Sequence, residues 1–331
     1  MKEPLLILAA DHRASLERDL YGLSAPPTAA QAARISADKL LIYQALVDAL
    51  PDIPNTAQPG ILIDEQYGAS VAELAARTSG AICLAMPVEA SGEQWLRFAY
   101  GEAWQAHGQF FGADHAKILV RDNPGSDREM RAAQAERVSQ VSAWAAAGNH
   151  ALIIELLVPA TPADLDNVSG DGARYDRELR PGHTLAVIQY LQDKGVEPAI
   201  WKVEGFERQE DAVAVVAVVK RDGRTASCIV LGRHASHDQL DHWLQVAAPI
   251  TGYNGFAIGR SIWWDALNAR LHQRATTAET RHRISAAYTD FVTYYLAARE
   301  GAVGVGSGAS VTNSAASNPA AQTEIETIVE E

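Results

Sequence analysis

The chain has 331 residues and a formal net charge of −13, from 28 basic and 41 acidic residues. A charge of that sign excludes polyanionic partners, because nucleic-acid backbones and anionic membranes are bound through basic faces, so any anion recognition has to be local. The apolar fraction of 47% and charged fraction of 21% are those of a folded globular protein, and two cysteines, each inside an apolar run, suit a reducing compartment.

Only six of the basic residues are lysines: Lys2, Lys39, Lys117, Lys194, Lys202 and Lys220. Four of them fall in predicted helix, loop or terminal segments, where solvent is the expected partner. Lys117 and Lys202 fall in apolar runs.

Taken in chain order, apolar runs at 5–10, 61–63, 81–86, 117–120, 151–158, 199–203, 227–231 and 256–258 read as strands. The first is too short for a signal-peptide core and no run spans a membrane, so a cytoplasmic protein is expected. Between the runs, apolar residues at spacings of three and four predict helices over 33–50, 71–77, 93–107, 128–148, 184–194, 208–221, 238–246 and 262–299. The stretch 160–182 is polar and carries Pro162, Gly170, Gly172 and Pro181, which reads as a loop and a candidate lid. From Gly301 onward the composition turns to Gly, Ala, Ser, Thr and Asn and ends in glutamates, a disordered tail.

Eight strand-then-helix units in 300 residues is the arithmetic of a single (β/α)8 barrel, with 1–300 as the domain and 301–331 as the tail. No Gly-x-Gly-x-x-Gly follows the first strand, which argues against a dinucleotide-binding open sheet. Barrel active sites assemble where the strands end. Here those ends read Asp11-His12-Arg13, Asp64-Glu65, Glu89, Lys117 with Arg121, Glu155, Lys202 with Glu204, Gly232-Arg233 and Gly259-Arg260.

Period-two alternation in Ala199-Ile200-Trp201-Lys202-Val203-Glu204 puts Ile200, Lys202 and Glu204 on one face and the bulky Trp201 and Val203 on the other. Lys202 then points into the barrel, where desolvation and a second cation, Lys117, would favour a neutral amine able to attack a carbonyl. The alternative is a pair of rim lysines neutralised by carboxylates such as Glu204 and Asp114. Glu155 stands in the most apolar run, where burial is expected to raise its pKa towards the range useful for proton transfer, or where it forms a structural salt bridge to Lys117 or Lys202. Gly232-Arg233 and Gly259-Arg260 follow strands seven and eight, where barrels commonly bind phosphate. His12, His115, His183, His234 and His237, with Asp11, Asp64 and Glu155, form the alternative of a divalent-metal enzyme, although no tight ligand motif is present.

Together these segments resemble the class I, Schiff-base aldolases of the tagatose-1,6-bisphosphate aldolase type, and more closely the 2-deoxy-5-keto-gluconate-6-phosphate aldolase group of inositol catabolism. The resemblance is carried by Ala9-Ala10-Asp11-His12-Arg13, Lys117-Ile118-Leu119-Val120-Arg121-Asp122-Asn123-Pro124, Glu155-Leu156-Leu157-Val158-Pro159, Trp201-Lys202-Val203-Glu204-Gly205, Val230-Leu231-Gly232-Arg233 and Gly255-Phe256-Ala257-Ile258-Gly259-Arg260-Ser261-Ile262-Trp263. It implies a Schiff base on Lys202, with Lys117 beside it and Glu155 as acid and base. It further implies substrate contacts from Asp11 and Arg13 and a phosphate at Gly232, Gly259 and Arg260. His12, Asp64, Arg121 and Glu204 complete the expected substrate site and Arg233 the phosphate site. No cofactor or metal is implied. The expected partner is a small phosphorylated sugar, and barrels of this type often pair through their helices into homo-oligomers. A tagatose-bisphosphate or sulfosugar-phosphate aldolase and a non-catalytic sugar-phosphate sensor are the alternatives.

Overall fold

The computed structural model describes residues 3–304 with the exception of 79, 149 and 234. Eight parallel strands close into a barrel in sequence order. They are β1 (Leu5–Ala9), β2 (Gln58–Leu62), β3 (Cys83–Pro87), β4 (His115–Arg121), β5 (Ala151–Leu157), β6 (Ile200–Glu204), β7 (Ser227–Leu231) and β8 (Tyr253–Ile258). Closure is made by β1 against β8, with Leu5 opposite Gly255 and Leu8 opposite Ile258. The tail expected from 301 lies outside the described residues, except that 301–304 continue the last helix.

Side-chain alternation builds two apolar layers, the inner one from every strand but β4. Leu5, Ile7, Ala9, Leu62, Cys83, Ala85, Ile153, Ile200, Ile229 and Ala257 plug the barrel interior. Leu6, Leu8, Trp201, Val203 and Phe256 face the surrounding helices as part of the larger core. Trp201 and Val203 therefore lie on the outer face, as the alternation in β6 predicts, and Lys202 turns inward above Ile200.

The helices are α1 (Ala29–Ala49), α2 (Glu65–Ala76), α3 (Trp104–Phe110), α4 (Arg128–Ala147), α5 (Pro162–Asn167), α6 (Gly172–Glu178), α7 (Arg180–Asp193), α8 (Gln209–Val219), α9 (His237–Ala247), α10 (Arg260–Leu271) and α11 (Thr277–Gly304). Among the described residues no helix is long and apolar enough to cross a membrane.

Three segments depart from the sequence expectation. The helix expected over 93–107 is mostly a fold-back of the chain, with Ala90 N–H donating to Arg97 O and Ala99 N–H to Val88 O. Gly92 and Gly101 take positive φ there, which breaks helical continuity, and helix is confined to a 3-10 turn at Gly101–Ala103 and the α3 that follows it. The single helix expected over 262–299 is two, separated by Gln273 at φ 56° and restarted by Thr276 and Glu279, which cap each other reciprocally. The loop expected over 160–182 contains α5 and α6 and the start of α7. Asp164 anchors it, accepting from Thr161, Asn123 and His183, while Tyr175 Oη donates to Val158 O. A segment so tied lacks the loose attachment of a lid.

Candidate active site

A cavity of about 460 Å³ opens where the strands end. Its apolar lining is Ala9 and Ala257 of the barrel plug with Leu119, Leu157 and Leu231, and its wall includes seven cationic and five carboxylate side chains. The cavity wall thus carries a cation excess in a chain of net charge −13.

The centre is a chain of buried ion pairs contributed by β4, β5 and β6 and by the exits of β1 and β3. Lys202 Nζ lies 3.0 Å from Glu155 Oε1, and Glu155 Oε2 lies 2.8 Å from Lys117 Nζ. Lys117 Nζ continues to Asp11 Oδ2 at 2.9 Å and to Glu89 Oε1 at 2.7 Å. Register explains the contact, because Glu155 is directly opposite Lys202 in the β5–β6 ladder. Lys117 and Lys202 are 2% and 4% exposed, so neither is a rim lysine. Their carboxylates are also different from the expected ones: Glu204 pairs with Arg233, and Asp114 accepts from Leu84 N–H.

Burial alone would raise the Glu155 pKa, as the sequence suggested. The ammonium groups of Lys117 and Lys202 outweigh it and hold the carboxyl at about 2. The expectation of a raised pKa is therefore corrected: Glu155 enters as a carboxylate. Burial pushes Lys117 down, but Asp11, Glu155 and Glu89 prevail and keep its ammonium well above the ordinary lysine range. Burial would likewise raise Asp11, yet Lys117, His12 and Lys202 hold it far below the usual carboxylate value. His12 is depressed to about 3, by burial first, with Arg260 and Lys202 adding to the effect against the opposing pull of Asp11 and Glu155. It is a neutral imidazole packed edge-on to Trp263 at 5.5 Å.

Two cationic regions flank this network. One is Gly232, Gly259, Arg260 and Ser261 at the ends of β7 and β8. Gly259 has to be glycine, since a Cβ there would sit 2.3 Å from Ala9 O. That close approach brings the N-terminus of α10, with its unsatisfied N–H groups, to the cavity. Among the described residues Arg260 has no ion-pair partner, so its charge is open to a ligand. The second region holds Arg13 and Arg121, which donate to the main-chain oxygens of Glu89 and Glu93. Arg13 is 7% exposed and its Nε is buried without a partner.

Eleven of the thirteen residues expected at the site line the cavity. Asp64 does not: it is fully buried, pairs with Lys39 and caps α2 by accepting from Tyr67 N–H. Glu204 does not either, being held by Val158 N–H and Arg233. Arg233 reaches the cavity but is neutralised by both Glu204 and Asp176, which leaves Arg260 the more open of the two cations. Of the histidines proposed for a metal, His115 lies against Cys83 Sγ, His183 against Asp164 and His237 against Phe291, while His234 is outside the described residues. Among the described residues no three His, Cys, Asp or Glu side chains are placed to share an ion.

The sequence reading missed Lys39, placed with the solvent-exposed lysines but 1% exposed. Its signal was present: Lys39 falls at the helical spacing of Ile35, Ile42 and Leu46, on the buried face of α1. Glu89 was noted at a strand end but not assigned; it is the third carboxylate on Lys117. Arg18 and the 91–94 segment of the fold-back, which line the cavity, gave no sequence signal.

A family described as uncharacterized protein conserved in bacteria (DUF2090) matches residues 1–299. No curated protein matches the sequence. Among solved structures, fructose-bisphosphate aldolase from Plasmodium falciparum, crystallised with TRAP and a small-molecule inhibitor, superposes with a TM-score of 0.61 at 12% identity, over 87% of this chain and 90% of that one. A Corynebacterium glutamicum protein solved as a structural genomics target gives 0.50 at 19% identity, over 87% and 86%. At these identities the likeness is one of fold.

Proposed function

The chain belongs to the DUF2090 family of bacterial proteins, and from the geometry of its cavity we propose that it is a class I aldolase, a carbon–carbon lyase that cleaves a phosphorylated keto sugar through a Schiff base on Lys202. The observation that carries the reading is a buried lysine at a strand end, 3.0 Å from a carboxylate that a second lysine also holds, beneath an open arginine at a helix N-terminus.

Lys202, once it has given up its proton, adds to the substrate ketone, and loss of water leaves a protonated imine. That imine draws electrons from the bond between the α- and β-carbons as the β-hydroxyl loses its proton. Glu155, ionised at working pH, takes that proton and returns it to the enamine carbon. Hydrolysis of the resulting imine frees the ketose phosphate half and the amine. Lys117 keeps Glu155 ionised and ties it to Asp11 and Glu89.

The substrate reading follows from the two cationic regions. A phosphate sits at Gly232, Gly259 and Arg260, and a second anionic group faces Arg13 and Arg121. 2-Deoxy-5-keto-gluconate 6-phosphate has both, a phosphate and a carboxylate, and would yield dihydroxyacetone phosphate and malonate semialdehyde. Tagatose bisphosphate and a sulfosugar phosphate also carry two anions. The test is turnover of these substrates and fructose bisphosphate, read as dihydroxyacetone phosphate through a coupled reductase. The keto-gluconate phosphate is expected to give the highest kcat/KM; release of no triose phosphate from any of them contradicts the reading.

A further inference from the structure

Lys39 leaves α1 and ends beneath the β1 exit loop. Its ammonium donates to Ala10 O at 2.8 Å and to His12 O at 2.9 Å, and pairs with the fully buried Asp64. These are the two main-chain oxygens on either side of Asp11. The other flank of the same loop is fixed by Trp263, whose Nε1–H donates to Ala9 O at 2.9 Å. Asp11 in turn is the first carboxylate of the Lys117 network.

We propose that Lys39 is the positioning residue of the site: by holding the carbonyls of Ala10 and His12, with Asp64 as its counter-ion, it fixes the backbone of Asp11 so that this carboxylate stays on Lys117 and the Lys117–Glu155–Lys202 alignment is kept. The arrangement explains why a lysine and an aspartate are buried together outside the cavity. Three acceptors saturate the three N–H donors of one ammonium, a geometry that anchors a loop in place and leaves nothing over for a ligand. It also gives Asp64 a role, transmitted through Lys39, in a site that its side chain does not enter.

The kinetic part of this inference rests on the aldolase reading; the titration part does not. Lys39→Met alone leaves Asp64 as an uncompensated buried charge and is expected to unfold the chain partly. The informative variant is Lys39→Met with Asp64→Asn, which removes both charges and keeps the amide oxygen that caps α2. The groups that act on Asp11 are Lys117, His12 and Lys202; Lys39 also feels Asp11 through charge, and the double variant removes Lys39 together with its counter-ion Asp64, one charge of each sign, so that the backbone hold on Asp11 is the main thing lost. Carbon NMR of the Asp11 carboxyl, assigned with Asp11→Asn, is expected to show its titration far below the usual range in the wild type and moved up towards it in the double variant. On the best substrate, kcat is expected to fall about 10- to 100-fold, the range for an ångström-scale misplacement, with a shifted pH profile and KM changed less than threefold. A folded double variant whose Asp11 titrates as in the wild type overturns the proposal, whether or not the wild type proves to be an aldolase. A wild type without turnover whose Asp11 titration still moves would sink the aldolase reading and leave the positioning role standing.

Discussion

At the residue scale the site is decided by who neutralises whom. Glu155 lies between two ammonium groups, which keep it ionised, the form the proposed base needs. Glu155→Gln keeps the shape and removes the base, so kcat is expected to fall about 10²- to 10⁴-fold while the protein stays folded, checked by steady-state kinetics and circular dichroism. Lys117 is the hub of three carboxylates. Lys117→Met strands them in a buried site and is expected to cost about 3–5 kcal/mol in urea denaturation, where an exposed ion pair would cost under about 1. The two buried lysines of the cavity, Lys117 and Lys202, were legible in sequence because they interrupt apolar strands. Lys39 was misplaced because helix propensity treats lysine as a good surface residue, and only its spacing from Ile35 and Ile42 betrays its burial. The direction of the Glu155 pKa was misjudged because burial is visible in an apolar run, whereas the number of cations that converge on one carboxylate depends on strand register.

At the element scale the function depends on how strand ends meet helix starts. β8 passes to α10 through Gly259, whose missing Cβ lets the chain touch Ala9 O. Gly259→Ala is expected to push the α10 N-terminus off the cavity and to weaken inhibition by inorganic phosphate more than tenfold, measured against the wild type at fixed substrate. Unchanged inhibition would take the phosphate site away from α10. The barrel itself was readable from eight apolar runs because parallel strands buried on both faces are nearly continuous in hydrophobic residues. The fold-back at 88–99 and the break between α10 and α11 were not, since both turn on positive φ at single residues, Gly92 and Gln273, and only the first of these is flagged by its residue type. The helices α5 and α6 were hidden by polar composition; their order comes from Asp164, whose several hydrogen bonds join segments distant in sequence.

At the scale of the whole molecule the buried charges set the response to acid. His12 is held at about 3 against an ordinary 6.5, so the unfolded chain binds its proton first. Its contribution to stability is complete above about pH 6.5 and is lost as the pH falls from there towards 3. Glu155, at about 2 against an ordinary 4.5, adds stability that is complete above about 4.5 and is lost between there and 2. Urea midpoints are therefore expected to fall in two stages on acidification, and His12→Gln is expected to reduce the first, between about pH 6.5 and 4.5, to which His115, also depressed by burial, contributes the remainder, and to leave the second. A single late fall in both proteins would contradict the neutral state of His12. The net charge of −13 disfavours anions in general, and against it the cavity wall sets seven cations beside five carboxylates.

The central claim is a covalent bond between Lys202 and a ketone, and borohydride trapping reads it directly. Incubation of the protein with dihydroxyacetone phosphate and sodium borohydride, followed by peptide mass spectrometry, is expected to place a reduced glyceryl-phosphate adduct on Lys202 alone, with loss of the adduct in Lys202→Arg. Absence of an adduct in the wild type, or its appearance on Lys117 in place of Lys202, would contradict the account.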